Sequence, residues 1–318
     1  MKWKALFGAI GLASLIYILK GYGFERLAQE LLGLGWWSVP LALTFLPVAA
    51  CYALAWQLVT PGWKISRFPE ALRLTVISVA WNNLSPFVKM LGEPVRLVML
   101  DRVLPGKRAA QSVVLYNIVH SVGTLLSFFI GAAILLLVYP ISATLNTGLI
   151  VLLLLAPLLA ASLLLLPYLA GRMPFRPSKK SRVYKLSFWM RWSFSKIRVS
   201  ARRHPARIAL AIFLETLARF VEGVTFYVAF LALGHFVPLF ACALLDVGRS
   251  LIDNAFFFIP YQVGSREGGV LLVASDALKI GTDSVVSSAV LYRLVEILWM
   301  GIGYALWMME GNRRRSSR

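Results

Sequence analysis

Acidic residues are scarce in this chain: 14 Asp and Glu stand against 33 Lys and Arg in 318 residues, a formal net charge of +19. Histidine, with three, and cysteine, with two, are scarcer still. Three histidines leave His-based catalysis little to work with. Cys51 and Cys242 both sit in apolar stretches and read as small buried hydrophobes, not as a disulfide or a metal pair. There is no phosphate-binding loop ending in Gly-Lys-Ser/Thr, no dinucleotide fingerprint in a strand–helix setting and no zinc spacing. The chain is therefore expected not to be an enzyme and to carry no cofactor, and an ATP-driven pump would need a separate subunit.

What the chain has in quantity is apolar sequence. It is 59% hydrophobic with a mean hydropathy of +0.73, too apolar for an ordinary soluble domain. Runs long enough to span a bilayer lie at about 5–20, 37–59, 109–138, 146–168, 207–233 and 284–309. The first, from Ala5 to Leu19, resembles a signal peptide, but no good small-residue cleavage site follows it, so it reads as a retained span. Two further stretches, about 71–101 and 239–280, are apolar but broken by Pro, Gly and charges. Each reads as a re-entrant pair of half-helices, since irregular backbone at that depth must be covered by protein or a watery cavity. The expected fold is an all-α polytopic membrane protein of one domain, with about six transmembrane helices plus two re-entrant helix pairs.

Basic residues set the orientation. Lys2 and Lys4 precede the first span, Lys64 and Arg67 follow the second, and Arg102, Lys107 and Arg108 precede the third. Residues 171 to 207 carry twelve Lys or Arg and no Asp or Glu, and Arg313, Arg314, Arg315 and Arg318 close the chain. The connections at Tyr139 to Asn146 and His235 to Pro238 lack Lys and Arg. Six spans with both termini in the cytoplasm satisfy all of these. The basic segment, about 169–207, also holds Tyr184, Phe188, Trp189, Trp192 and Phe194. Ordinary positive-inside anchoring accounts for it, and an interfacial helix on an anionic leaflet is the alternative. Anionic lipid headgroups, not nucleic acid, are the expected partner of this charge.

A motif occurs twice inside the apolar sequence. The first copy is Asn83, Pro86, Gly92, Glu93, Arg96, and the second Asn254, Pro260, Gly264, Arg266, Glu267. Pro-to-Glu spacing is seven in both, although Pro-to-Gly is six and four. Each copy precedes a similar helix, Ser112-Val-Val-Leu-Tyr116 and Ser288-Ala-Val-Leu-Tyr292, with Glu-to-Tyr spacings of 23 and 25. The ordered set argues for an internal duplication, with repeat A about 37–138 and repeat B about 207–309. Under the charge-derived topology the Tyr116 helix runs outward and the Tyr292 helix inward, so the repeats are of inverted topology, a common construction of alternating-access transporters.

A lone charge near the bilayer centre costs roughly 3 kcal/mol on insertion scales, so Glu93, Arg96, Arg266 and Glu267 are expected to pair or to face a hydrated cavity. An arginine fork suits a phosphate, so Arg96 and Arg266 are expected to bind one, with Glu93 and Glu267 orienting them or meeting a cationic group. A salt-bridge network that only locks the repeats together is the competing reading. Glu215, Arg219 and Glu222, then Asp246, Arg249 and Asp253, then Arg293 and Glu296, form self-neutralising stripes at helical spacing, which favours structural pairing. Lys89 reads as an interfacial side chain reaching water. His120, at the place of Glu296 in the second repeat, reads first as a hydrogen-bonded packing residue, with a proton-coupled role as the alternative. Pro and Gly in the broken segments read as helix breakers that also free helix N-termini, which favour anions.

Asn82-Asn-Leu-Ser-Pro-Phe-Val-Lys-Met-Leu-Gly-Glu-Pro-Val-Arg96 resembles the first conserved block of the lysylphosphatidylglycerol synthase-like membrane domain, or flippase-like domain, family. Ile259-Pro-Tyr-Gln-Val-Gly-Ser-Arg-Glu267 resembles its second block, with Tyr292-Arg293 on the helix after it. The resemblance covers nearly the whole chain. It implies an inner-membrane protein with re-entrant helices that moves lipids or lipid-linked groups between leaflets, and it carries Glu93, Arg96, Arg266 and Glu267 over as site positions. On the helix after the first block, where acidic and arginine residues are common in the family, this chain has Asn117, Ile118 and His120. The family's soluble aminoacyl-transferase domain does not follow the last span, so synthesis of aminoacyl lipids is not expected. The expected site is Glu93, Arg96, Arg266 and Glu267, with Asn83, Asn254, Arg293 and Glu296 around them. The expected partners are anionic or phosphate-bearing membrane lipids, with an enzyme that makes the lipid and self-association as further possibilities. A small-ion or metabolite transporter and a non-transporting, lipid-presenting subunit are the rival functions; a membrane-embedded transferase, with Glu93 or Glu267 as base, is a weaker third.

Overall fold

The computed structural model describes residue 29 and residues 32–60, 62–84, 92–100, 104, 107–170, 202–255 and 265–316. The expected span at 5–20, the residues Pro86, Lys89, Pro260 and Gly264, and most of the basic segment lie outside this set. All the regular elements it contains are helices: α1 (Leu32–Val59), α2 (Phe68–Asn83), α3 (Gly92–Leu100), α4 (Lys107–Val138), α5 (Ala143–Ala170), α6 (Pro205–Val221), α7 (Gly223–Ala232), α8 (Leu239–Ala255), α9 (Ser265–Leu272) and α10 (Thr282–Ser316).

Helices α1, α4, α5 and α10 each contain a stretch long and apolar enough to cross a membrane. The α5 stretch has a mean hydropathy of 2.7 and only 17% of it is buried, with Leu154, Leu158 and Leu165 exposed. A leucine face of that size would be an aggregation surface in water and is an ordinary surface in lipid. The expected span at 207–233 is helical but divided at Glu222 into α6 and α7, where Glu215, Arg219 and Glu222 interrupt the apolar sequence. The two broken stretches are short helices. At 16 and nine residues for α2 and α3, and 17 and eight for α8 and α9, each is shorter than the ~20 residues of a full span. A π-helical turn, Val273–Ala277, extends α9.

Packing follows a recurrent pattern. Helix α2 packs on α3 as α8 does on α9; α3 packs on α4 as α9 does on α10. Helix α1 packs on α2 and α4, and α7 on α8 and α10. Across the halves, α2 lies against α10 and α4 against α8. Two apolar clusters result, one around Trp56, Ile77, Trp81, Leu100 and Val119, the other around Phe226, Phe230, Leu244, Leu245 and Tyr292.

The α4–α6 contact depends on Gly123. A Cβ there would lie 2.5 Å from Cβ of Glu215, and the Gly123 carbonyl accepts a hydrogen bond from Thr216 Oγ1 at 3.2 Å. Gly123→Val is expected to lower stability by about 1–3 kcal/mol, the usual cost of overpacking. Gly148→Ala, with nothing within 4 Å of its Cβ, should be near neutral. Thermal unfolding in detergent measures both.

Candidate functional site

The first motif copy is set by the junction of α2 and α3. Gly92 N–H donates to Asn82 Oδ1 at 2.7 Å, and a Cβ at Gly92 would collide with the Ser78 carbonyl oxygen and the Asn82 side chain. Only glycine lets the start of α3 sit this close to α2. Asn82, not its neighbour Asn83, makes this bond; Asn83 lines the cavity described below. One turn into α3, Arg96 Nη1 donates to Glu93 Oε1 at 3.2 Å, and Asn117 Nδ2 donates to Glu93 Oε2 at 2.9 Å. The Arg96 guanidinium is clasped between two rings, 4.7 Å from Trp56 and 4.5 Å from Tyr116. Trp56 is fixed in turn by its Nε1–H, which donates to Ser112 Oγ at 3.0 Å.

The second copy joins a longer network. On α8, Arg249 donates from Nε to Asp246 at 2.8 Å, from Nη1 to Asp253 at 2.8 Å and from Nη2 to Glu222 at 3.2 Å. Its guanidinium also lies 4.4 Å from the Tyr292 ring, which stacks on Phe226. Asp253 accepts a second bond, from Arg266 Nε at 2.6 Å, and Arg266 Nη1 donates to both Glu296 oxygens at 2.7 and 2.5 Å. Arg293 adds a bond to Glu296 at 3.2 Å. At the other end, Glu222 accepts from Tyr52 Oη at 2.6 Å and lies 3.5 Å from Arg219. Arg219 reaches His120 Nε2 and Thr124 Oγ1, both at 3.2 Å, and His120 Nδ1 is 2.7 Å from Glu215. The chain Glu215–His120–Arg219–Glu222–Arg249–Asp253–Arg266–Glu296–Arg293 is thus continuous across both halves. Pairing of this extent answers the desolvation cost that each charge would carry alone.

A cavity of about 400 Å³ opens between the halves, lined by Glu93, Arg96, His120, Arg219, Asp253 and Glu296 among others. Exposure orders these side chains: His120 at 35%, Glu93 at 24%, Glu296 at 17% and Arg219 at 15%, against 6% for Arg266 and 4% for Arg96. Arg219 is thus the more open guanidinium, and its Nε, like that of Arg96, has no partner among the described residues.

Of the residues singled out in the sequence, Glu93, Arg96, Arg266, Glu296, Asn83 and Asn254 all line this cavity. Asn254 is exposed and donates to the carbonyl of Ser250 on its own helix at 2.7 Å. Arg293 stands behind Glu296. The backbone at Glu267 is on α9, and its side chain lies outside the described set. The stripe Glu215, Arg219, Glu222 does not close on itself: Glu215 takes His120, 95 residues away in sequence, as its partner. Arg266 pairs with Asp253 and Glu296 and, like Glu93, lines the cavity. Tyr52, Trp56, Arg219 and Arg249 complete the site and were not singled out for it. The tyrosines of the two Ser–Tyr blocks gave the available signal, because Tyr116 and Tyr292 pack on Trp56 and Phe226, the large aromatics that precede each repeat's motif.

A helical chain whose leucine faces turn outward and whose charges turn inward on a shared cavity is an integral membrane protein. The lysylphosphatidylglycerol synthase TM region is the family that matches it, over residues 4–303, and the chain belongs to that family. The match covers nearly the whole chain and ties it to lipid metabolism or transport. No curated protein and no solved structure was found to match the chain.

Proposed function

We propose that the protein is a lipid translocase of the cytoplasmic membrane, not an enzyme, and that the cavity receives the headgroup of a phospholipid or lipid-linked group while the acyl chains stay in the bilayer. The observation that carries this reading is a cavity of about 400 Å³ lined by charged side chains from both halves, in a chain of a lipid-associated family. The recurrent helix packing supports an inverted duplication in which the pairs α2–α3 and α8–α9 are re-entrant and open alternately to the two leaflets. Both termini are cytoplasmic in this scheme. Anionic or phosphate-bearing lipids are the partners, together with whatever enzyme supplies the lipid; self-association is compatible with the scheme.

Arg219 and Arg96 are the guanidinium groups proposed to meet the phosphate. Arg266, already held by two carboxylates, is a positioning residue that keeps α8, α9 and α10 in register. The test is leaflet exchange by the purified protein in liposomes with fluorescent anionic and zwitterionic phospholipids. Exchange is expected, and Arg219→Ala should slow it by about 10- to 100-fold, the equivalent of one charge-assisted hydrogen-bond set at roughly 1.5–3 kcal/mol. Absence of exchange with every lipid would overturn translocation and leave the lipid-presenting subunit.

A further inference from the structure

We propose that His120 and Glu215 form a proton-binding site that governs Arg219, so that one proton is taken up with each anionic headgroup; this rests on the cavity being a headgroup site. The geometry defines the tautomer. Arginine can only donate, so His120 Nε2, 3.2 Å from Arg219 Nη2, accepts. The single ring proton is then on Nδ1, donated to Glu215 Oε2 at 2.7 Å. His120 is the most open of the charged or titratable groups compared above, whereas Glu215 is fully buried, and its Oε1 has no hydrogen-bond partner among the described residues. The neutral imidazole thereby holds Arg219 in the network.

A proton added at Nε2 turns that acceptor into a donor. The imidazolium still donates to Glu215 but can no longer accept from Arg219. The guanidinium keeps Thr124 and Glu222 and gains a free Nη2–H, a charge-assisted donor for a phosphate oxygen.

The surroundings fit this role. Facing the pair are Cys51 and Tyr52 from α1, Glu93 and Arg96 from α3, Tyr116 from α4 itself, Arg219 and Glu222 from α6, and Asp246 and Arg249 from α8. Helix α5, which also packs on α4, has no charged residue. In the network, the carboxylates of Glu215, Glu222, Asp246, Asp253 and Glu296 outnumber the guanidiniums of Arg219, Arg249, Arg266 and Arg293 by one, and Glu93 and Arg96 cancel. A monoanionic headgroup entering with a proton brings no net charge into the cavity, whereas the anion alone would add one in a poorly solvated setting.

The test uses the full chain in nanodiscs, with short-chain phosphatidylglycerol as probe. Proton uptake is read with an indicator dye in weak buffer, and the imidazoles by nitrogen NMR. One proton per bound lipid is expected, with His120 passing from its Nδ1–H form to imidazolium. His120→Gln should abolish the uptake, and His235→Gln, at an exposed residue away from the cavity, should not. Binding without uptake, or equal uptake by His120→Gln, overturns the proposal. If the probe does not bind, the headgroup reading fails instead, and acid titration of the empty protein decides the proton site. An Nδ1–H tautomer whose protonation is suppressed by Glu215→Gln upholds it; an Nε2–H tautomer, or no response to Glu215→Gln, overturns it.

Discussion

Asp253→Ala should destabilise the protein by about 3–5 kcal/mol, the cost of breaking a buried ion pair from one side. Asp253 is buried and is the one described carboxylate that accepts from both Arg249, at 2.8 Å, and Arg266, at 2.6 Å. Without it two guanidiniums approach each other with no anion between them. Arg249 retains Asp246 and Glu222, and Arg266 retains Glu296, so the loss falls on the junction of α8 and α9 and not on either arginine's remaining contacts. Asp253→Asn should cost less, since it keeps one acceptor oxygen. The double variant Asp253→Ala/Arg266→Met should recover part of the loss, because an apolar replacement of a buried pair is often nearly neutral. Thermal unfolding in detergent over this cycle measures the coupling. Strictly additive losses would show that Asp253 does not bridge the two arginines.

Arg96→Ala is expected to cost about 2–3 kcal/mol and to slow lipid exchange by ten-fold or more. Two desolvated cation–π contacts, each worth about 1–2 kcal/mol, disappear with the guanidinium. A flat gap opens between Trp56 and Tyr116, and Glu93 keeps Asn117. Arg96→Lys separates charge from shape. An ammonium keeps the attraction to Glu93 but does not stack between two rings or present a fork. Lysine should therefore restore more of the stability than of the exchange rate, read by unfolding and by the liposome assay on the same preparation. Full exchange with lysine would mean that Arg96 serves only as a counter-ion.

Local features of this fold are the ones legible in the sequence. Apolar runs of span length and the interrupted stretches at 71–101 and 239–280 are legible because hydropathy and helix breakers act within a few residues. The i, i+3 and i, i+4 pairs Glu93–Arg96, Asp246–Arg249, Arg249–Asp253 and Arg293–Glu296 were likewise visible from spacing. The links that organise the site were not. Arg266–Glu296 and His120–Glu215 join residues 30 and 95 positions apart, and which helix faces which is decided by packing. Nothing in the spacing of Trp56 and Arg96 announces that one ring of the clasp comes from α1 and the other from α4. The charges themselves were a usable clue: each buried one required a partner, though the identity of that partner is a tertiary property.

The cross-packing of the halves bears on how the chain is made. Helix α2 lies against α10, with Arg73 joined to Glu310 at 2.7 Å and the Val76–Ala80 face pressed on Gly303. During synthesis that face has no such cover until the last helix emerges, more than 200 residues later. Helix α2 thus waits in the membrane for α10, and a stop codon within α10 would remove the cover of a helix made some 200 residues earlier.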